Sequence, residues 1–340
     1  MPGNRDVGPG LLKEGFNGRN TLFSVTDMAE EMYAFNRLDD AFQRTKSLLW
    51  PINWGVWLRL ALIAFFVGGG ASFPNTSGYN FGEGDLPPGA MESLPGIALF
   101  LVVLIIVVLA VALLWWIIGA VMRFVFVDML RTGDIHIRPF FGERLGKGVR
   151  LFLFEAALTL VLVLAMMAFI FMLVGIGGPG VGVAAPLLIL ALIPIILVAA
   201  LLFGIVFLLT TDFVVPIMIH EDCGVIEGWR RLFGVMSGQF WQLVVYVLAR
   251  LVLGLIAAIV QAILVILALV VIAIPFILIG IVLLAAVQAN YVLLLVLLIP
   301  YLIIAIPVAL LIAVPFVTFF RYYGLLVLER LAPEYRLLPE

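Results

Sequence analysis

From Glu155 to Asp212, and again from Arg250 to Arg321, the chain carries no charged side chain between the named residues. Such stretches divide into apolar segments of about 20–30 residues, the length a helix rising ~1.5 Å per residue needs to cross a ~30 Å hydrocarbon layer. A soluble domain does not expose so little charge. Only 12% of the 340 residues are Asp, Glu, Lys or Arg, against 65% hydrophobic. The sequence therefore predicts an all-α, polytopic membrane helical bundle with transmembrane helices near 54–71, 97–127, 149–175, 184–211, 240–271 and 290–320. They fall within a membrane domain at 27–331, between an N-terminus expected to be disordered at 1–26 and a tail at 332–340. No cleavable signal peptide is expected, because Arg5, Lys13, Arg19, Arg37, Arg44 and Lys46 precede Trp54 with no apolar core among them.

Charge is distributed unevenly between the connections. Segment 72–96 has Glu83, Asp85 and Glu92 but no Lys or Arg, and neither "GIGGPGVG" nor 272–289 has any charge. Basic residues gather elsewhere: Arg131, Arg138, Arg144, Lys147 and Arg150, then Arg230 and Arg231, then Arg330 and Arg336. The positive-inside rule then places both termini in the cytoplasm of a multi-pass cell-membrane protein, which requires an even number of spans. Segment 274–290 is apolar but makes a helix of only ~24 Å; it is expected to be partly buried or re-entrant on the outer side. Pro300, Pro307 and Pro315 are expected to kink the last helix.

Residues 27–50 read as an amphipathic helix, with Leu38, Phe42, Thr45 and Leu49 at helical spacing. It either lies along the membrane surface or packs on the cytoplasmic ends of the bundle. Related aromatic and basic segments precede the later hairpins in "PFFGERLGKGVRLFLFEAAL" and "EGWRRLFGVMSGQFWQLVVYVLARLVL". The even helices end in "RFVFVDML", "DFVVPIMI" and "RYYGLLVL". A weak threefold hairpin repeat of about 95 residues follows, each unit a cytoplasmic amphipathic helix plus one out-and-back pair.

That alignment gathers six charges near the cytoplasmic side: Arg59, Glu155 and Arg250 at the starts of odd helices, Arg123, Asp212 and Arg321 at the ends of even ones. Arg59, Arg123 and Arg321 lie near enough to helix ends to be interfacial anchors. Arg250 and Glu155 lie deeper and are expected to be paired or to face a hydrated pocket. Only the middle repeat supplies acids, so Glu155 and Asp212 are expected to pair with arginines of the flanking repeats and fix hairpin packing.

Little in the chain points to catalysis. "HEDCGVIEGWRR" at 220–231 sets His220, Glu221, Asp222 and Cys223 side by side, but no second histidine follows at i+4. A cytoplasmic turn is expected instead, with Gly224 ending one helix and Glu227 favouring the first turn of the next. The acidic neighbours of Cys223 discourage a thiolate. There is no Walker-type loop, HExxH or GxSxG, and no basic patch outside the membrane rim to take nucleic acid. No cofactor is expected. Basic aromatic surface segments suit anionic lipid headgroups.

"EGWRRLFG" superficially resembles the EAA loop by which ABC permeases dock an ATPase, with Trp229 in place of the second alanine and the glycine one residue late at Gly234. "FVVPIMIHEDCGVIEGWRRLFGVMSGQFWQLVVYVL", with the later "VPFVTFFRYYGLLVL", resembles uncharacterised six-helix archaeal membrane proteins. These are similar in turn to the membrane domain accompanying some glycerophosphodiester phosphodiesterases. The resemblance, over residues 36–331, implies six helices and an archaeal source and carries over no catalytic residue. The function expected is a non-enzymatic scaffold or accessory subunit that binds membrane lipids, a protein partner or a second copy of itself. The alternative is a permease-like transporter or channel component with a polar cavity around Glu155 and Arg250.

Overall fold

The computed structural model describes residues 36–68, 94–176, 184–286 and 292–339. The N-terminus at 1–26, the start of the 27–50 helix, the acidic segment from residue 72 and most of "GIGGPGVG" lie outside the described residues. Among those described, every regular element is helical: α1 (Leu38–Leu49), α2 (Trp54–Gly68), α3 (Leu94–Thr132), α4 (Ile137–Ile176), α5 (Ala184–Leu209), α6 (Val215–His220), α7 (Val225–Ala286) and α8 (Val292–Leu331). A π turn, Thr210–Val214, joins α5 to α6 as one rod, and a 3₁₀ turn, Pro333–Tyr335, follows α8. Five rods are long and apolar enough to cross a membrane: α3, α4, α5–α6, α7 and α8. The fifteen-residue α2 rises only ~22 Å.

Segment 274–290 is not re-entrant over its described part, because α7 runs on as helix through Pro275 to Ala286. The apolar, uncharged sequence offers no reason to leave the helix, and a membrane helix tolerates one proline. The break in α7 is at Gln239 (φ −138°, ψ 38°), where the surface segment turns into the long helix. α8 continues through Pro300, Pro307 and Pro315.

The helices run antiparallel and meet at one pole. There α2 packs on α3 and α8, α3 on α4 and α6, and α7 on α8 and the π turn. Phe124, Phe126, Met218, Tyr246, Tyr323 and Leu326 are fully buried in this pole. Away from it α3 is bare, every residue from Leu99 to Leu109 being exposed, whereas α7 and α8 stay in contact as far as Phe276 and Tyr301 and leave Ile263, Leu267 and Val271 of α7 facing outward. Apolar side chains without protein neighbours are what a lipid-facing surface requires.

α1 covers the pole by packing on α8, burying Ala41, Thr45 and Leu49. Phe42 does not join that face and is 60% exposed. The contact stripe is centred on positions 41, 45 and 49, which puts position 42 at its margin. Trp57 Nε1 donates to the Leu49 carbonyl at 3.1 Å and closes the α1–α2 corner. The segment after α8 is tied down as well, with Leu337 and Leu338 buried and Arg44 donating to the Pro339 carbonyl at 2.9 Å.

Glycine sets the closest helix contact. A Cβ on Gly148 of α4 would stand 2.7 Å from Cα of Val121 on α3, a backbone atom that cannot rotate aside. Gly148→Ala is therefore expected to lower the unfolding free energy by roughly 1–3 kcal/mol through overpacking. Gly146→Ala, with no atom within 4 Å of the new methyl, should raise it by ~0.5–1 kcal/mol through helix propensity. Parallel unfolding curves in detergent check the pair.

Candidate functional site

Asp212 owes its setting to the backbone beneath it. In the π turn the Val215 N–H bonds the Thr210 carbonyl, five residues back. The next such bond would run from residue 216 to Thr211, but Pro216 has no N–H to give. The freed Thr211 carbonyl accepts Nη1 of Arg321 at 2.7 Å, which draws α8 onto the turn. The Asp212 carboxylate accepts the Tyr246 hydroxyl at 2.8 Å and Nε of Arg250 at 3.2 Å, both on Oδ2. Its Oδ1 stands 4.0 Å from Nη1 of Arg321. Gly324 makes room: a Cβ there would lie 3.2 Å from Cβ of Asp212 and 3.3 Å from the Tyr246 hydroxyl. The Arg250 guanidinium is stacked 3.7 Å above the Phe320 ring, and Arg321 lies 5.6 Å from the Phe126 ring.

Glu155 anchors a second centre, between α3 and α4. It is 1% exposed, pairs with Arg123, and accepts Trp116 Nε1 at 3.0 Å. Both acids lie on the α4–α6 stretch; Glu155 meets Arg123 from the helix before it, and Asp212 meets Arg250 and Arg321 from the helices after it. Arg123 and Arg321 are not interfacial anchors, since both are withdrawn from the surface into these pairs. α3 and α8 extend beyond the expected spans to Thr132 and Leu331, which puts residues 123 and 321 about two and a half turns inside their helices. Arg59 stands apart from both acids, exposed, with Nη1 2.6 Å from the Ile135 carbonyl.

A cleft of about 300 Å³ opens beside the Asp212 network. Arg250, Arg321 and Asp212 line its polar end, Gln261 adds an amide, and Phe316 and Ala258 contribute apolar wall. Glu155 is not among its lining residues, so the two deepest sequence-predicted charges occupy separate sites.

Sequence reasoning missed a third centre, in which Asp128 accepts two bonds from Arg144, at 2.6 Å from Nε and 3.2 Å from Nη2. The signal was an acid inside the apolar stretch "RFVFVDML". Lys147, in the same basic connection, reaches the Met218 carbonyl at 2.8 Å and Asp222 at 2.5 Å. The residues of "HEDC" fan out rather than converge. His220 lies edge-on to Tyr335, Glu221 meets Arg231 at 2.8 Å, and Asp222 meets Lys147. Asp222, at φ +52°, rather than Gly224, takes the left-handed conformation that ends the helix, one of the few non-glycine residues to do so readily. The Lys147 ammonium holds the Asp222 carboxyl below its usual range, and burial pushes the Cys223 thiol up.

Five long apolar rods joined at a charge-paired pole have the build of a multi-pass membrane protein. The chain belongs to a family of unknown function, DUF7544, whose model matches residues 32–338. Comparison with curated proteins and with solved structures returned no match.

Glu155→Gln would leave the buried Arg123 without its counter-charge. The expected loss is about 3 kcal/mol of unfolding free energy. Arg59→Gln, at an exposed position, should stay within ~1 kcal/mol. Denaturant titrations of both variants in one detergent make the comparison; equal small effects would refute the assignment.

Proposed function

We propose that the protein is a non-enzymatic membrane scaffold or accessory subunit that presents long apolar faces to lipid or to a protein partner. The observation that carries this reading is the division of the molecule. The interior charges are engaged with one another at one pole, while beyond it the described outward faces of α3, α7 and α8 are exposed apolar surface. Charges tied into pairs rigidify a contact; they do not carry a substrate past it.

In this reading the protein lies in the cell membrane with six spans, α2 the shortest, and with both termini cytoplasmic. The three hairpins are a weak repeat, and the resemblance to archaeal six-helix proteins and phosphodiesterase-associated membrane domains belongs to the same reading. Support for the orientation comes from the basic connections, which all lie at the charge-paired pole. Support for the repeat comes from Arg123, Asp212 and Arg321, which stand at comparable heights in α3, the π turn and α8.

The permease-like alternative has one observation in its favour, the cleft beside Arg250. Reconstitution of the purified chain in vesicles separates the two. A scaffold gives ion and solute flux no higher than protein-free vesicles, whereas flux that disappears in Arg250→Gln would establish a pathway.

Cys223, the single cysteine, reports orientation directly. A membrane-impermeant maleimide should label it only when the cytoplasmic face is open to the reagent. Because the thiol titrates above its ordinary range, labelling should keep accelerating as pH rises past that range. Labelling from outside intact cells would overturn the topology.

A further inference from the structure

The charges at the centre of the pole do not balance. Among the described residues, Arg123, Arg250 and Arg321 face only Glu155 and Asp212. Tyr246 adds a hydroxyl but no charge, and the Thr211 carbonyl offers Arg321 only a partial negative charge. One guanidinium's worth of positive charge is therefore left in a region walled by Phe126, Phe320 and Tyr323. Such an excess is expensive in a low-dielectric interior unless an anion or water reaches it. The cleft leads to the two arginines that share a single carboxylate, Arg250 and Arg321.

From this we infer that the cleft is a binding site for the headgroup of an anionic phospholipid, its phosphate held by Arg250 and Arg321. Arg250 is preorganised for that role. Phe320 supports the face of its guanidinium, and Asp212 holds Nε. Both contacts fix the plane of a fork suited to phosphate oxygens. Gln261 and Thr211, at the same cleft, provide polar surface for the rest of a headgroup. At about 300 Å³ the cleft is at the small end of ligand pockets, enough for a headgroup but not for acyl chains as well. The chains have an apolar track on which to lie: Leu264, Leu267 and Val271 of α7, beyond Gln261, are exposed. Bound there, the lipid becomes the counter-charge of the pole.

The site rests on the membrane-embedded reading, and one preparation tests both. The full chain is reconstituted in nanodiscs holding equal mole fractions of phosphatidylglycerol and phosphatidylcholine, then released for native mass spectrometry. Failure to enter the discs would defeat the membrane reading itself. Given entry, the wild type is expected to retain one phosphatidylglycerol, favoured about tenfold over phosphatidylcholine, or ~1.4 kcal/mol. Arg250→Gln should abolish the preference. Because that change also disturbs Asp212, Ala258→Trp serves as the second variant; it fills the cleft while leaving the ion pairs intact and should abolish the preference too. Val252→Trp, on the exposed face of α7, should keep it. Equal retention of the two lipids by the wild type, or a preference that survives Ala258→Trp, would overturn the proposal. Loss of the lipid preference on adding millimolar inorganic phosphate would also overturn it, by showing an anion site with no use for a lipid.

Discussion

A guanidinium without a counter-charge is costly in a low-dielectric interior, and the packed pole is organised around that prohibition. Asp212 is the strictest case. It accepts Tyr246 and Arg250 from α7, lies beside Arg321 from α8, and sits in a π turn whose freed carbonyl takes Arg321 again. Removing Asp212 takes the carboxylate from Tyr246, Arg250 and Arg321 at once, so the arrangement specifies one docking of α7 and α8 against the α5–α6 rod. Glu155 does the same between α3 and α4 with Arg123 and Trp116.

The remaining architecture follows from where that specification stops. Between membrane helices the hydrophobic effect supplies little net attraction, since lipid is as apolar as leucine, and association depends on close packing and polar contacts. At the pole both are present, with Gly148 against Val121 and Gly324 against Asp212. In the bare stretches, such as Leu99 to Leu109, the side chains are apolar, and neither glycine nor polar groups draw the helices together there. The same division carries the functional reading: a rigid charged pole and adaptable apolar flanks suit a subunit that organises its surroundings.

Much of this was legible in the sequence. Uncharged runs located the five long rods because hydrocarbon admits little else, and the mixture of two acids with several arginines marked the residues that now meet at the pole. Less legible was anything decided by tertiary contact. Arg123 and Arg321 resembled interfacial anchors because hydropathy places span ends where charge begins, whereas α3 and α8 continue as helix well past those charges. Segment 274–290 looked too short to stand alone; in its described part it is the end of a longer helix. The spacing from Asp212 to Pro216 held a readable signal, since a proline that cannot donate frees a carbonyl upstream. Which side chain would take that carbonyl depended on α8, more than a hundred residues away.

A double-mutant cycle at Asp212 and Arg250 tests the central claim most directly. Unfolding free energies would be measured in one detergent for wild type, Asp212→Asn, Arg250→Gln and the double variant. If a shared buried charge pair holds α7 to the π turn, each single change is costly and the double costs less than their sum, with a coupling of at least ~1 kcal/mol. Additive effects, within ~0.3–0.5 kcal/mol, would show that the two residues do not depend on each other, and the pole would need another explanation.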